Sequence, residues 1–154
     1  MLPNHYEGQD CSIARALEIL GERWTLLILR EAFLGSTHFD EFEQRLEIAP
    51  STLTRRLDLL IAEGLLERSA DPNDGRSHLY RLTAKGSETH LVITALRDWG
   101  ESYYSHGAPP DSLTHDSCGG RVRAELRCER CGDPIGIAET RRTEHRPRTR
   151  TTAP

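Results

Sequence analysis

The sequence lacks any apolar run long enough to span a membrane, so its pattern does not predict a transmembrane helix. Its first ten residues also lack the basic segment and apolar core of a secretory signal peptide, so we expect a cytoplasmic protein. Hydrophobic residues make up only 36% of the 154 residues. This predicts one packed domain with an appendage, and some chain that does not contribute to the core.

Signatures of catalysis are missing as well. The sequence contains no glycine-rich phosphate loop and no Ser/His/Asp pattern, and its seven histidines are scattered. We therefore do not expect an enzyme, although a reactive cysteine or a metal centre keeps that class as a competing hypothesis. A zinc-bearing module for protein interaction is a further competing hypothesis.

An excess of positive charge is also absent, because the formal net charge is −4. This is an objection to nucleic-acid binding, since binding domains are often basic. The distribution weakens the objection: residues 7–47 carry nine acidic residues against four Arg, whereas residues 50–83 carry five of each sign. A local positive edge can bind DNA on an acidic molecule, with strong salt dependence.

The segment from Ala49 to Leu82 carries the most informative pattern. An apolar stripe at helical spacing predicts a helix that starts at Pro50 and ends at Gly64. Residues 65–68 and 77–82 read as two strands around a turn-forming segment. The helix, hairpin and following helix predict a winged helix-turn-helix; the alternative is an ordinary helix and hairpin in an α+β domain. The candidate DNA-binding residues are Pro50, Ser51, Thr52, Thr54, Arg55 and Arg56 on the helix, and Arg76 and Arg81 on the wing.

Three helices are predicted before this segment, over residues 12–20, 22–33 and 38–46, and one long helix after it, capped by Thr83 and running to about residue 106. The fold class is therefore mainly α with a small β-wing. The last helix carries an apolar seam at heptad spacing, which favours packing against a partner helix; the alternative is packing on its own domain. The seam consists of Val92, Leu96, Trp99 and Tyr103.

After a Gly/Pro linker, the sequence contains a Cys/His pattern with x2 spacing in each half, His115-x2-Cys118-x9-Cys128-x2-Cys131. This spacing is typical of a zinc ribbon, and four ligands predict one structural Zn²⁺ per chain. The alternatives are a reversible dithiol at Cys128 and Cys131, and a turn that has lost its metal. Residues 139–154 are rich in Arg and Thr and predict a disordered tail.

Several short motifs in the right order resemble the HxlR-type, MarR-like winged helix-turn-helix regulators. They are Cys11-Ser-Ile-Ala-Arg-Ala-Leu, Gly21-Glu-Arg-Trp24-Thr-Leu-Leu-Ile-Leu-Arg30, Phe39, Leu53-Thr-Arg-Arg-Leu57, Glu63-Gly-Leu-Leu-Glu-Arg68, Tyr80-Arg-Leu-Thr83 and Lys85-Gly86. The resemblance covers about residues 11–107 and implies dimeric bacterial transcription regulators. It also implies that the helix from Pro50 enters the major groove of a pseudo-palindromic operator while the wing lies over the flanking backbone. We expect a repressor of neighbouring genes.

The resemblance further implies a redox-sensing role for Cys11, because family members often carry a sensing cysteine at this position. A helix N-terminus and the nearby Arg15 favour the thiolate. The alternative is a small buried residue at a helix start. The expected organisation is a leader over residues 1–10, the winged domain over 11–107, the zinc-ribbon-like extension over 108–138 and the tail over 139–154.

Overall fold

The computed structural model describes residues 11–104, 107, 113–141 and 143. It divides the chain into two compact units, Met1–Pro110 and Asp111–Pro154. The leader and most of the tail lie outside the described residues. The elements, in chain order, are α1 (Ser12–Leu20), α2 (Thr25–Phe33), α3 (Phe39–Leu46), α4 (Pro50–Ala62), β1 (Leu66–Ala70), β2 (His78–Leu82), α5 (Ala84–Glu88), α6 (His90–Tyr104) and a 3₁₀ turn, Ile137–Glu139.

The first unit has the predicted architecture, mainly helical with one small antiparallel sheet. Helix α2 lies at its centre and packs against α1, α3, α6 and β2. As predicted, it is the most enclosed helix of the core, although it begins at Thr25 rather than Glu22 because the preceding residues form a turn. The largest fully buried hydrophobic side chains come from four elements: Ile28, Leu29, Phe42, Leu53, Leu57, Leu60 and Leu66.

The β-hairpin forms the predicted wing, with Leu66 opposite Leu82 and Ala70 opposite His78. The chain just before α3 lies alongside β2 and forms a short bridge with it. The backbone N–H of Tyr80 donates to the carbonyl of Thr37 at 2.8 Å, and His38 forms an isolated bridge with Leu79. The wing is thereby hydrogen-bonded to the start of α3.

The segment after the wing differs from its prediction as one continuous helix. Thr83 caps α5 as expected, because its hydroxyl accepts a hydrogen bond from the N–H of Gly86 at 3.0 Å. The helix is nevertheless interrupted at Thr89, whose hydroxyl donates to the carbonyl of Gly86 at 2.6 Å. A Cβ on Gly86 would lie 2.0 Å from the carbonyl oxygen of Leu65. This close backbone packing places α5 against the residue that precedes β1.

Membrane-spanning helices are not found in the described part of the chain, since none of its helices combines sufficient length with sufficient apolar character.

Candidate nucleic-acid interface

Helix α4 presents a polar face to solvent at its N-terminal end. Pro50 occupies the first turn, where its missing N–H costs no hydrogen bond, and Glu47 takes a left-handed conformation (φ 49°) that turns the chain from α3 into α4. Ser51, Thr54 and Arg55 are exposed, whereas Thr52 is half-buried. The hydroxyl of Thr54 donates to the carbonyl of Pro50 at 2.9 Å. Three of these side chains are therefore accessible to a ligand that approaches this end of the helix.

Arg56, one of the predicted DNA-binding residues, does not belong to this exposed face. The residue is 9% exposed, and its guanidinium lies 2.8 Å from the carboxylate of Glu22 in the turn between α1 and α2. Helical geometry explains the difference, because successive residues point about 100° apart and Arg56 precedes the fully buried Leu57. Arg56 thus anchors α4 to the body of the domain, and Arg55 alone of the pair faces solvent.

The wing adds exposed cationic side chains. Arg76 lies in the turn between the strands, where its backbone N–H donates to the carboxylate of Asp74 at 3.1 Å. Arg81 lies on β2 opposite Glu67, and its guanidinium donates to the hydroxyl of Ser69 at 3.3 Å. Arg68 on β1 is exposed as well. Arg68 was not among the predicted DNA-binding residues, although its place in the predicted first strand, beside the wing turn, was a sufficient signal.

A hydrogen-bonded pair at the base of the wing was also missed. The Nε2 atom of His38 lies 2.9 Å from the Oδ2 atom of Asp71. This contact raises the pKa of His38, and the nearby carboxylate of Glu41 adds to the effect. The pKa of Asp71 is lowered, chiefly by the backbone N–H of Asn73 and then by His38. Because these two residues are 33 positions apart, only the fold reveals the pair.

The four predicted zinc ligands lie in the second unit as two separate pairs. The Sγ atom of Cys118 lies 3.4 Å from the Nδ1 atom of His115. The pKa of the Cys128 thiol is lowered, chiefly by hydrogen bonds from the backbone N–H groups of Cys131 and Arg130 and then by the thiol of Cys131. Within the described residues, no three His, Cys, Asp or Glu side chains form a group that could hold a metal ion. Cys11, the predicted sensor, immediately precedes α1 and is half-buried.

The helical core, the helix-turn-helix formed by α3 and α4, and the β-wing define a winged helix-turn-helix protein, a DNA-binding class without enzymatic activity. Residues 19–108 match the model of the HxlR-like helix-turn-helix family. The chain belongs to this family, as the sequence motifs predicted.

Several relatives are HTH-type transcriptional regulators. The uncharacterised regulator Rv3095 of Mycobacterium tuberculosis is 42% identical over 135 residues, which are 87% of this chain and 84% of the relative. The crystal structure of PA1607, a candidate transcription factor, is 31% identical with a TM-score of 0.79, and the match covers 90% of this chain and 97% of that one. Because the first unit spans 110 residues, the match with Rv3095 extends into the second unit.

A shorter relative is the HTH-type transcriptional regulator YodB of Bacillus subtilis. Its reduced form superposes with a TM-score of 0.53 at 27% identity, covering 64% of this chain and 98% of that one. A second structure of YodB contains a bound quinone; it superposes with a TM-score of 0.51 at 26% identity, covering 59% of this chain and 97% of that one. The match with YodB therefore leaves out more than a third of this chain.

Proposed function

We propose that this protein is a cytoplasmic, homodimeric repressor that binds a pseudo-palindromic operator near the genes it controls. The observation that carries the proposal is the exposed polar end of α4, where Ser51, Thr54 and Arg55 face solvent. Hydroxyl groups and a guanidinium at a helix N-terminus suit contact with base edges in the major groove. The half-buried Thr52 would contact the DNA at the edge of the same groove. Pro50, at the first turn, would approach the sugar-phosphate backbone.

The wing would contact the flanking DNA backbone. Arg76 and Arg81 are exposed on the hairpin, and neither lies on the helix that would enter the groove. Arginines in such a position bind phosphates and fix the register of the protein on the duplex without reading sequence. This division predicts base specificity from Arg55 and general affinity from the wing, even though the whole chain is acidic.

The proposed dimer uses the apolar seam of α6. Leu96 and Trp99 are about half exposed, at 49% and 55%, and Val92 and Tyr103 continue the seam at 43% and 71% exposed. These exposures support an intermolecular role for the seam over packing on its own domain. A second copy of the same helix suits the seam, because an isologous interface repeats identical heptad-spaced residues on both sides.

The charged residues of α6 favour the same occupant. Arg97 lies within 3.4 Å of Asp98 and 3.8 Å of Glu101, so these charges are paired along their own helix rather than exposed on the seam. An interface between copies of this chain would therefore be apolar at its centre.

The experiment combines light scattering with a mobility shift on the DNA upstream of the gene. The wild type should be a dimer at micromolar concentration and should shift a duplex with half-sites about 10 bp apart, centre to centre. Leu96→Glu should yield a monomer that has lost the specific shift. Leu34→Glu, at an equally exposed apolar residue outside α6, is the matched control and should behave as wild type.

A monomeric wild type would overturn the dimer. A dimer that shifts no upstream DNA while it retains a partner protein would instead support the alternative, an interaction module that uses the helix-turn-helix only to dimerise.

Regulation by an electrophile or oxidant at Cys11 is a second proposal, supported by its place at the start of α1 and by the quinone-bound structure of YodB. The helix N-terminus favours the thiolate, which is the reactive form. Modification would alter α1, which packs on α2, and so change the placement of the two recognition helices. Quinone should weaken operator binding by wild type and not by Cys11→Ser. An equal response in Cys11→Ser would reject this role, and Ser12→Ala, at the neighbouring exposed residue of α1, serves as the matched control.

A further inference from the structure

The second unit contains two turns with the same backbone hydrogen bonds, displaced by thirteen residues. In the first, the N–H of Gly119 donates to the carbonyl of His115 at 2.8 Å; in the second, the N–H of Gly132 donates to the carbonyl of Cys128 at 2.8 Å. The hydrogen bonds that close the turns correspond as well. The N–H of His115 donates to the carbonyl of Gly120 at 2.8 Å, as that of Cys128 does to Asp133 at 3.0 Å. The N–H of Val122 donates to the carbonyl of Leu113 at 2.8 Å, as that of Ile135 does to Leu126 at 2.9 Å. Isolated bridges, Thr114 to Arg121 and Arg127 to Pro134, keep the same displacement.

Each turn displays one pair of metal-binding side chain types at the same two positions. His115 in the first turn corresponds in position to Cys128 in the second, and Cys118 corresponds to Cys131. The residue after each pair has a positive φ, 67° at Gly119 and 76° at Gly132, which bends the backbone back under the side chains. In the second turn, backbone N–H groups of Arg130 and Cys131 already point at the sulfur of Cys128. Such donors are what a metal-bound thiolate needs around it.

The second unit has no hydrophobic core of its own in its described part. None of the described residues from 113 to 141 is buried. Its larger apolar side chains are exposed, with Leu126 at 58% and Ile137 at 80%. A module of this size without a core needs a cross-link, such as a metal, to hold a single structure. The repeated turns therefore supply ligands where hydrophobic burial is insufficient.

We propose that His115, Cys118, Cys128 and Cys131 together bind one structural Zn²⁺, which closes the two turns on each other. Three thiolates and one imidazole form a donor set that suits zinc, and four protein ligands leave no open position for catalysis. Because the described residues contain no group of three such side chains, metal binding would require the two turns to approach each other. Metal binding would thus complete the folding of this unit. The inference is independent of the proposed operator binding.

The test measures the metal content of the full chain purified without chelator. Wild type should contain about one zinc per chain, since a closed four-ligand site holds one ion. Cys118→Ser, Cys128→Ser and Cys131→Ser should each lose most of it. Cys11→Ser and Asp116→Asn are the matched controls, a cysteine outside the site and a polar residue inside the first turn, and both should retain the wild-type content.

Cobalt substitution identifies the ligands. The visible spectrum of the cobalt form should be tetrahedral. At saturating cobalt, its thiolate-to-metal charge-transfer intensity per bound cobalt should fall by about one third in each of these cysteine variants, because one of three thiolates is lost. His115→Ala should retain that intensity while it weakens zinc retention. Helical circular dichroism confirms in every variant that the winged unit is folded.

Three outcomes would overturn the proposal. They are wild-type protein that remains metal-free after dialysis against zinc, zinc that persists in Cys128→Ser and Cys131→Ser, and a Cys128–Cys131 disulfide that accounts for both thiols in protein kept under reducing conditions. The last outcome would assign the second turn to redox chemistry instead.

Discussion

The imidazole of His38 and the carboxylate of Asp71 lie 2.9 Å apart and join the start of α3 to the base of the wing. The carboxylate of Glu41 approaches the other side of the ring, with Oε2 3.7 Å from Nδ1, and it also accepts hydrogen bonds from the backbone N–H groups of Thr37 and His38. Protonated His38 is thus held between two acids. Together with the backbone hydrogen bond between Tyr80 and Thr37, this arrangement connects the wing to the helix-turn-helix.

The first prediction concerns the pH dependence of stability. Because the pKa of His38 is raised, protonated His38 contributes fully to the stability of the fold below the ordinary pKa of 6.5. This contribution is lost as the pH rises through the raised pKa. Because the pKa of Asp71 is lowered, its contribution is present above its ordinary value of 3.8 and is lost as the pH falls through the lowered value. The pair therefore stabilises the fold most between these two ordinary values.

Urea denaturation in this window and at about one to two pH units above the ordinary value of His38 checks the prediction. When the pH is raised from the first condition to the second, the urea midpoint of wild type should fall by more than the urea midpoint of His38→Gln. His78→Gln, at an exposed histidine of the same hairpin, should follow wild type. Parallel pH profiles for wild type and His38→Gln would contradict the assignment.

The second prediction concerns the ion pair between Arg56 and Glu22. Glu22→Ala should destabilise the domain by about 1–3 kcal/mol, because it leaves a buried guanidinium without its acceptor. Arg56→Met alone should also destabilise it, but the double variant should cost less than the sum of the single changes. A double-mutant cycle by chemical denaturation measures this coupling, with Glu88→Ala as an exposed acidic control. Additive effects would show that the 2.8 Å contact is energetically unimportant.

The third prediction separates base reading from backbone contact. Arg55→Ala should cost about 1–3 kcal/mol on the cognate operator and relax sequence preference, as expected for a base-edge contact. Arg76→Ala should weaken cognate and random DNA alike and reduce the salt slope of log K by about one. Fluorescence anisotropy titrations over a range of salt measure both effects, and Arg23→Ala is the control outside the helix-turn-helix. Equal losses on both DNAs for Arg55→Ala would assign that residue to the backbone.

The fourth prediction compares two glycines in helices. Gly86→Ala should destabilise the domain by about 1–3 kcal/mol or more, because the new Cβ would meet the backbone carbonyl of Leu65 at a distance that requires movement. Gly100→Ala should stabilise it by about 0.5–1 kcal/mol, since nothing lies within 4 Å of a Cβ at that position and alanine favours the helix. Thermal or urea unfolding distinguishes the two, and stabilisation by Gly86→Ala would refute the packing argument.

Local patterns were sufficient for most of the secondary structure. Helix α4 begins at Pro50 as predicted, because a proline in the first turn and a leucine stripe at helical spacing are both encoded locally. The hairpin was found from its turn-forming residues, although β1 runs to Ala70 rather than Arg68. The break at Thr89 was not found from the sequence, and neither was the close approach of Gly86 to Leu65, twenty-one residues earlier, which local patterns do not reveal.

The sequence by itself determined the family, the order of the elements and which residue types could contact DNA, since spacing and side-chain chemistry are properties of neighbouring residues. Only the tertiary structure decided that Arg55 faces solvent while Arg56 is buried against Glu22, because adjacent residues of a helix point in different directions and the core selects which one turns inward. The same holds for His38 and Asp71, whose partnership arises when β2 pairs with the chain before α3.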